Sequence, residues 1–231
     1  MQGYLLLCLI VILPTITLQG QSFTTTGQFD VGNKKIIDIH TGESITKRAF
    51  NARIKENSKV ALEPVYGVYG EIDHFLLDTK NTDGIISIDT NQRPAPGESF
   101  PPFIMKNTAQ ETVAFGELRG QYILLYFELM FHSPVFDSAR FETHQTMFRQ
   151  VSNAAPFQSI ILTMSTKKQL ENTIDPKNYP SHLVTNSQNW MFKYYIDQYP
   201  TGILIDKNGY LIRYYHPSEL NRFQNDLTRI K

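Results

Sequence analysis

The chain has 231 residues, of which 41% are hydrophobic and 12% are aromatic, so it can bury the core of one ordinary domain and of a smaller unit. Its 22 Lys and Arg residues balance 22 Asp and Glu residues. A net charge of zero gives no support for a nucleic-acid footprint or a basic membrane patch, so we expect no nucleic-acid partner.

Residues 1–20 are typical of a secretion signal. Residues 4–13 are almost purely apolar, Pro14 ends the run, and Gly20 supplies a small residue near a cleavage point. The run is shorter than the roughly 20 residues that cross a bilayer. We therefore expect a cleaved signal peptide, a periplasmic or secreted protein, and no stable membrane anchor after cleavage. A retained anchor is the alternative, because no Lys or Arg precedes the apolar run.

Cysteine usage limits the chemistry. Cys8 is the only cysteine, and it lies inside the predicted signal peptide. Disulfide exchange needs a thiolate and usually a second, resolving cysteine. Peroxide reduction needs at least one thiolate. The mature chain acting alone is therefore expected to carry out neither reaction.

Residues 21–95 predict a small α+β segment that ends in a linker. Residues 81–96 are rich in Asn, Asp, Gly and Pro, which is typical of a connection between units. The predicted strands cover residues 22–30, 34–40, 60–66 and 72–78, and the predicted helix covers residues 46–57.

Residues 96–231 predict an α/β domain. The run YILLYF at 122–127 indicates a strand that is buried on both faces. The apolar run at 159–164 predicts the next parallel strand, reached by a helical crossover. Asn208-Gly209 between two apolar runs is a strong hairpin pattern. Further strands are predicted at 103–105, 112–115, 183–185, 202–205 and 210–214, and helices at 134–152, 166–172, 187–198 and 219–230.

The connection between the buried strand and the next helix is the most informative stretch. Ser133 is a good N-cap and Pro134 suits the first helical position, so the helix is predicted to begin there. Amides at a helix N-terminus and the helix dipole favour negative charge, including thiolates. This is where an α/β protein would be expected to keep its chemistry.

Three stretches carry a family resemblance. GQYILLYFELMFHSPV at 120–135 resembles the GKxxLLxFWASWCxxC segment of thioredoxin-like proteins, in particular the secreted TlpA/redoxin group. YPTGILIDKNG at 199–209 resembles the family's PTxxLIDKxG, and residues 94–120 resemble its PxFxLxxxxGxxxxLxxLxGK entry. The resemblance covers about residues 95–231. It implies a thioredoxin-like fold, with a central mixed sheet flanked by helices, behind a small N-terminal α+β segment of a kind common in Bacteroidetes-type secreted proteins.

The same resemblance implies that the redox residues are missing. His132 falls on the first catalytic cysteine, Val135 on the second, and Phe131 on the family's Trp. Tyr126 replaces the buried acid that many thioredoxins use to deprotonate the second cysteine. Pro200 matches the family's cis-proline.

The resemblance also implies a former active-site face. In the family, the residue before the cis-proline presents its backbone to a bound peptide as an added strand. We expect a protein or peptide partner to use this face, with no catalytic residue, no metal and no cofactor. The predicted binding residues are Phe131, His132, Ser133, Pro134, Val135, Tyr199 and Pro200.

His132 leaves two hypotheses open. In the first, the protein is a redox-inactive binding or scaffold module. In the second, it is an oxidoreductase-type or metal-dependent member of the family centred on His132. Copper-binding relatives use two cysteines spaced CxxxC and a distant histidine, and those two positions are His132 and Phe136 here. One histidine without partners cannot hold Zn²⁺ or Cu²⁺ tightly, which favours the first hypothesis.

The helix after the turn and the aromatic residues of the C-terminal half complete the predictions. Arg140 and residues 142–144 are predicted to form a solvated helix face. If Phe131, Phe136 and Tyr199 are exposed, they would form an apolar patch suited to a partner.

Overall fold

The computed structural model describes residues 31–56, 59–81, 84 and 88–230. The predicted signal peptide and the predicted strand at 22–30 lie outside these ranges. No helix within the described ranges is long and apolar enough to cross a membrane.

The first unit is a small sheet covered by one helix. Its elements are β1 (Lys35–Asp38), β2 (Ser44–Ile45), α1 (Lys47–Glu56), β3 (Ala61–Tyr66) and β4 (Ile72–Asp78). The strand order is β2-β1-β4-β3, with β1 parallel to β4 and β3 antiparallel to β4. Phe50 of α1 packs against Ile36, Phe75 and Leu77, so the helix covers one face of the sheet.

The second unit contains a five-stranded mixed sheet, in order β11-β10-β7-β8-β9, and a two-stranded sheet of β5 and β6. Strands β7, β8 and β9 are parallel, whereas β10 is antiparallel to β7 and to β11. The strands are β5 (Ile104–Lys106), β6 (Thr112–Ala114), β7 (Tyr122–Glu128), β8 (Phe157–Thr163), β9 (His182–Val184), β10 (Thr201–Ile205) and β11 (Leu211–Tyr215). The helices are α2 (Ser138–Ala154), α3 (Lys167–Glu171), α4 (Gln188–Lys193) and α5 (Leu220–Thr228).

Strand β7 lies at the centre and is buried on both faces. Because side chains alternate along a strand, Leu125 and Phe127 enter one core and Leu124 and Tyr126 enter the other. The first core includes Trp190 and other residues of α4, and the second includes residues of α2 and α5. Two-sided burial explains why the sequence of β7 is a continuous apolar run.

Helix α4 is shorter than the helix predicted at 187–198. It ends at Lys193 because Tyr195 takes a left-handed conformation, with φ of 55°. The N–H of Tyr195 donates to the carbonyl of Phe192 (3.1 Å), and the N–H of Ile196 donates to that of Met191 (2.8 Å). These two bonds form a Schellman motif, which satisfies the last carbonyls and ends the helix.

The two units contact each other through the 67–70 turn and α4. Asn189 Nδ2 donates to the carbonyl of Gly70 (2.8 Å). Lys193 Nζ donates to the carbonyls of Gly67 (2.6 Å) and Pro102 (2.9 Å), so it joins the turn to the second unit. The predicted α+β segment is therefore docked on the larger unit. The boundary predicted at residues 95/96 stays a prediction.

Replacing Gly70 with Ala is expected to loosen this docking. Gly70 has φ of +74°, and an added Cβ would lie 2.8 Å from Trp190 Cζ2 and would also overlap Asn189 Nδ2. Gly42 is a matched control, because its φ is +72° but a Cβ there meets nothing within 4 Å. Both variants incur the left-handed cost of roughly 1–2 kcal/mol. Gly70→Ala should lose about a further 1–3 kcal/mol from overpacking, measured by urea unfolding. Equal losses for the two variants would contradict the docking described here.

Candidate functional site

The segment that joins β7 to α2 forms a tight turn. The carbonyl of His132 accepts the N–H groups of Val135 (3.0 Å) and Phe136 (2.9 Å), and the Ser133–Pro134 peptide bond is cis. The turn therefore places His132, Ser133, Pro134 and Val135 at its tip, where all four are exposed.

The prediction that the helix begins at Pro134 with Ser133 as its cap is wrong. Helix α2 begins at Ser138, and the carboxylate of Asp137 accepts the N–H of Arg140 (3.0 Å). An Asp cap satisfies a free amide of the first turn as well as Ser would. The Ser-Pro pair belongs to the turn instead.

The base of the turn is buried. Phe131 is completely buried, and its ring centroid lies 4.6 Å from that of Phe136 and 5.1 Å from that of Phe141. Its N–H donates to Ser165 Oγ (2.8 Å), and its carbonyl accepts from Thr173 Oγ1 (2.7 Å). The exposure of Phe131 that an apolar patch of Phe131, Phe136 and Tyr199 would require is therefore absent. Removing a large ring from water is favourable, and Phe136 and Phe141 supply the apolar surroundings.

Tyr199 and Pro200 lie at the same end of the sheet as the turn. They precede β10, whose first residue, Thr201, pairs with Phe127 near the end of β7. The Tyr199–Pro200 bond is cis, Pro200 is buried and Tyr199 is half-buried. Of the predicted binding residues, only those at the tip of the turn are therefore exposed, whereas Tyr199 is half-buried and Phe131 and Pro200 are buried.

A small cavity of about 20 Å³ lies beside Tyr199, and its wall includes Ile88 from the linker. The linker is also attached to the loop before β10. Arg93 Nε donates to the carbonyl of Tyr195 (3.0 Å), and Arg93 Nη2 lies 2.5 Å from the carboxylate of Asp197. The chain's own linker therefore covers part of the surface next to Tyr199.

Behind the turn, two polar pairs join β7 to α2. The Tyr126 hydroxyl and His144 Nδ1 lie 2.6 Å apart, and Arg140 Nη2 lies 3.1 Å from both carboxylate oxygens of Glu128. The prediction that Arg140 and His144 form a solvated face is wrong, because His144 is only 1% exposed and Arg140 turns toward buried Glu128. Helical spacing could have revealed this, since His144 lies three residues after Phe141.

Burial controls the ionisation of these groups. Burial lowers the pKa of His144 to about 4, and the neighbouring Arg140 guanidinium adds to this effect. Burial raises the pKa of Glu128, while Arg140 opposes that increase. Burial also raises the pKa of Tyr126. His144 is therefore neutral near pH 7, and Tyr126 keeps its proton.

The topology of the second unit identifies its fold. A parallel β7-β8-β9 arrangement with α2 as the crossover is extended by an antiparallel β10-β11 hairpin, and α5 follows the last strand. A cis-proline stands directly before β10. The fold is thioredoxin-like. The fold predicted from the sequence is confirmed, including the mixed sheet flanked by helices.

No protein-family model matches this thioredoxin-like chain, and no curated protein matches it. Similar solved structures include a putative thioredoxin from Neisseria meningitidis, 17% identical over 58% of this chain and 92% of that chain, with a TM-score of 0.46. A putative thiol:disulfide interchange protein DsbE from Chlorobium tepidum is 15% identical over 59% of this chain and 97% of that chain, with a TM-score of 0.47. A thiol-disulfide oxidoreductase from Bacteroides fragilis is 18% identical over 56% and 99%, also with a TM-score of 0.47.

The thioredoxin-like site of this chain differs from a redox site in its side chains. The two positions that the sequence aligned with the family's cysteines are His132 and Val135, both at the tip of the turn. Within the described ranges, no three His, Cys, Asp or Glu side chains come together as a metal site. The sequence did not single out Met130, Glu128 or Ser165, which the structure places around the turn.

His144 is expected to make stability depend on pH. Its pKa is about 4 in the folded chain, against 6.5 for an ordinary histidine, so the unfolded chain binds a proton first as the pH falls. The free energy of unfolding should therefore decrease between pH 6.5 and 4, by roughly 3 kcal/mol in total. Between pH 7 and 5, His144→Phe should lose about 2 kcal/mol less than the parent, measured by urea unfolding.

Tyr126→Phe is the control for this experiment. It removes the hydroxyl but leaves His144 buried, so it should retain the pH dependence of the parent. Glu128 and Arg140 are present in both variants, so the difference between them isolates the histidine. Equal losses for His144→Phe and the parent would contradict a neutral buried imidazole.

Proposed function

We propose that this is a secreted or periplasmic thioredoxin-like protein that carries out no thiol chemistry and binds a protein or peptide partner. The partner contacts the turn face, defined as His132, Ser133, Pro134 and Val135. The observation that carries the proposal has two parts. Hydrogen bonds hold the backbone at the base of the turn, and the two positions aligned with the family's cysteines are His132 and Val135. Secretion is supported by the apolar stretch within residues 1–20.

The contacts that hold the backbone of the turn in place favour binding. Hydrogen bonds from Ser165 and Thr173 hold the backbone at Phe131, and the buried rings of Phe131 and Phe141 support it from below. A preorganised surface loses less conformational entropy when a partner binds. The turn face can therefore bind without first being ordered.

The side chains of the turn face suit a small mixed contact. Val135 is 41% exposed and provides an apolar contact. Pro134 adds a second exposed apolar group, while the His132 ring and the Ser133 hydroxyl add polar groups. An apolar centre with a polar rim is the usual composition of a protein–protein interface.

The partner is expected to approach the turn face rather than the cavity beside Tyr199. Ile88 contributes to the wall of that cavity, and Arg93 attaches the linker to the loop before β10. The Arg93 guanidinium also lies over the ring of Tyr214, 5.0 Å from its centroid. These contacts keep the linker on that side of the domain, so the turn is the more accessible surface.

The first test measures whether the protein reduces a disulfide. The chain with Cys8→Ala should reduce a disulfide substrate such as insulin no faster than buffer does, because no thiolate is present. An active thioredoxin assayed in parallel shows that the assay works. Reduction above the buffer rate would overturn the proposal.

The second test locates the partner by site-specific photo-crosslinking in the native cell envelope. A crosslinker at position 135 should capture one dominant partner, identified by mass spectrometry. Position 210 is the control, because Tyr210 is 46% exposed but lies at the opposite end of β10 from Pro200. The same products from both positions would show that the turn face is not selective.

A matched pair of variants makes this result quantitative. Val135→Glu places a charge in the apolar centre of the turn face and should abolish capture from position 132. Tyr210→Glu makes the same change on the remote surface and should leave capture unaffected. If the turn face binds no partner, the two variants should give the same crosslinked products from position 132.

A further inference from the structure

Met130 and His132 place a soft sulfur and an imidazole nitrogen side by side. His132 Nε2 lies 3.1 Å from Met130 Sδ, and His132 Nδ1 lies 3.0 Å from the carbonyl oxygen of Ser133. Met130 is half-buried and His132 is exposed, so the two atoms meet at the surface beside the turn.

The contact with Ser133 suits one of the two neutral forms of the imidazole. A carbonyl oxygen can only accept a hydrogen bond, so the contact with Ser133 is satisfied when His132 Nδ1 carries the hydrogen. In that neutral form, the lone pair of Nε2 is available to a metal ion that also contacts the neighbouring thioether of Met130. Metal-binding histidines usually have this arrangement, in which the other ring nitrogen donates to a backbone carbonyl.

The backbone around Met130 is fixed on both sides. The carbonyl of Leu129 accepts the N–H of Met164 (3.1 Å) and the hydroxyl of Thr163 (3.2 Å). On the other side, the N–H of Phe131 donates to Ser165 Oγ. Met130 therefore projects from an anchored segment, and only side-chain torsions need to adjust around a bound ion.

We propose that Met130 Sδ and His132 Nε2 bind one soft monovalent metal ion, of which Cu(I) is the biological example. Thioether sulfur selects soft ions such as Cu(I), and imidazole also suits copper, whereas Mg²⁺ and Ca²⁺ prefer oxygen ligands. The proposed ion shares His132 with the turn face, but its sulfur ligand, Met130, lies outside that face, so metal binding can be tested without the partner.

The distance between the two donor atoms is compatible with a shared ion. With metal–nitrogen and metal–sulfur distances of about 2.0 and 2.3 Å, atoms 3.1 Å apart subtend an angle of about 90° at the metal. A wider angle needs only an outward rotation of the exposed His132 ring. Two protein ligands leave the remaining coordination positions open to solvent or to another molecule, so the ion can be exchanged.

The test uses Ag(I), a soft monovalent ion without redox chemistry under these conditions. The full chain carries Cys8→Ala, so that its only thiol cannot take the metal, and its methionines are labelled with ¹³C at the methyl group. The Met130 resonance, assigned with Met130→Leu, should shift and saturate at one equivalent of Ag(I). Cu(I), added without oxygen and with a colorimetric chelator that sets its free concentration, should also move the Met130 resonance.

Two variants decide whether the ion occupies the proposed pair. His132→Gln, at an exposed position, removes one of the two proposed ligands and should weaken Ag(I) binding by at least the roughly 10-fold that loss of a ligand's outer hydrogen-bond partner costs. Met147→Leu, which changes a half-buried methionine of α2, should leave binding unchanged. An unmoved Met130 resonance, or equal affinity in His132→Gln and the parent, would overturn the proposal. Displacement of Ag(I) by equimolar Zn²⁺ would overturn the assignment to a soft ion.

Discussion

The structure depends on a central strand that is buried on both faces yet carries two polar side chains on one of them. Leaving the Tyr126 hydroxyl or the Glu128 carboxylate unpaired inside the protein would cost several kcal/mol. Helix α2 supplies both partners, with His144 beside Tyr126 and Arg140 beside Glu128. Two residues along a strand span about 6.6 Å and four along a helix span about 6 Å, so the two pairs can form together only when helix and strand run antiparallel in one register.

This register has consequences for the turn. With Arg140 held opposite Glu128, the first turn of α2 must lie near the end of β7, and Asp137 is the residue placed to cap it. The intervening segment has to fold back on itself, and Phe131 and Phe136 pack beneath it against Phe141. The exposed tip is therefore a product of the buried pairs below it rather than of local turn preferences alone.

Sequence patterns predicted the parts of the fold that depend on long apolar runs and on local turn chemistry. Strand β7 and the Asn208-Gly209 hairpin are examples, because burial on two faces and a tight turn each leave a strong local pattern. The start of α2 was missed because Ser-Pro is favourable both at a helix start and in a turn, and a short stretch of sequence cannot separate the two. The early end of α4 depends on a left-handed Tyr195, a conformation that is uncommon for an aromatic residue.

The site was harder to predict because the burial and protonation of its side chains depend on contacts between separate elements. His144 carries the same side chain as an exposed histidine, and only its burial between β7 and α2 makes it a neutral group. Conversely, none of the residues that hold the turn is a cysteine: Ser165, Thr173 and the aromatic residues support it without a thiol. The residues that support the turn are therefore different from those at the two positions aligned with the family's cysteines. Those two positions can hold other side chains without loss of the contacts that support the turn. The donor atoms of Met130 and His132 then occupy a surface that the fold keeps exposed, so a change of chemistry there does not require a change of fold.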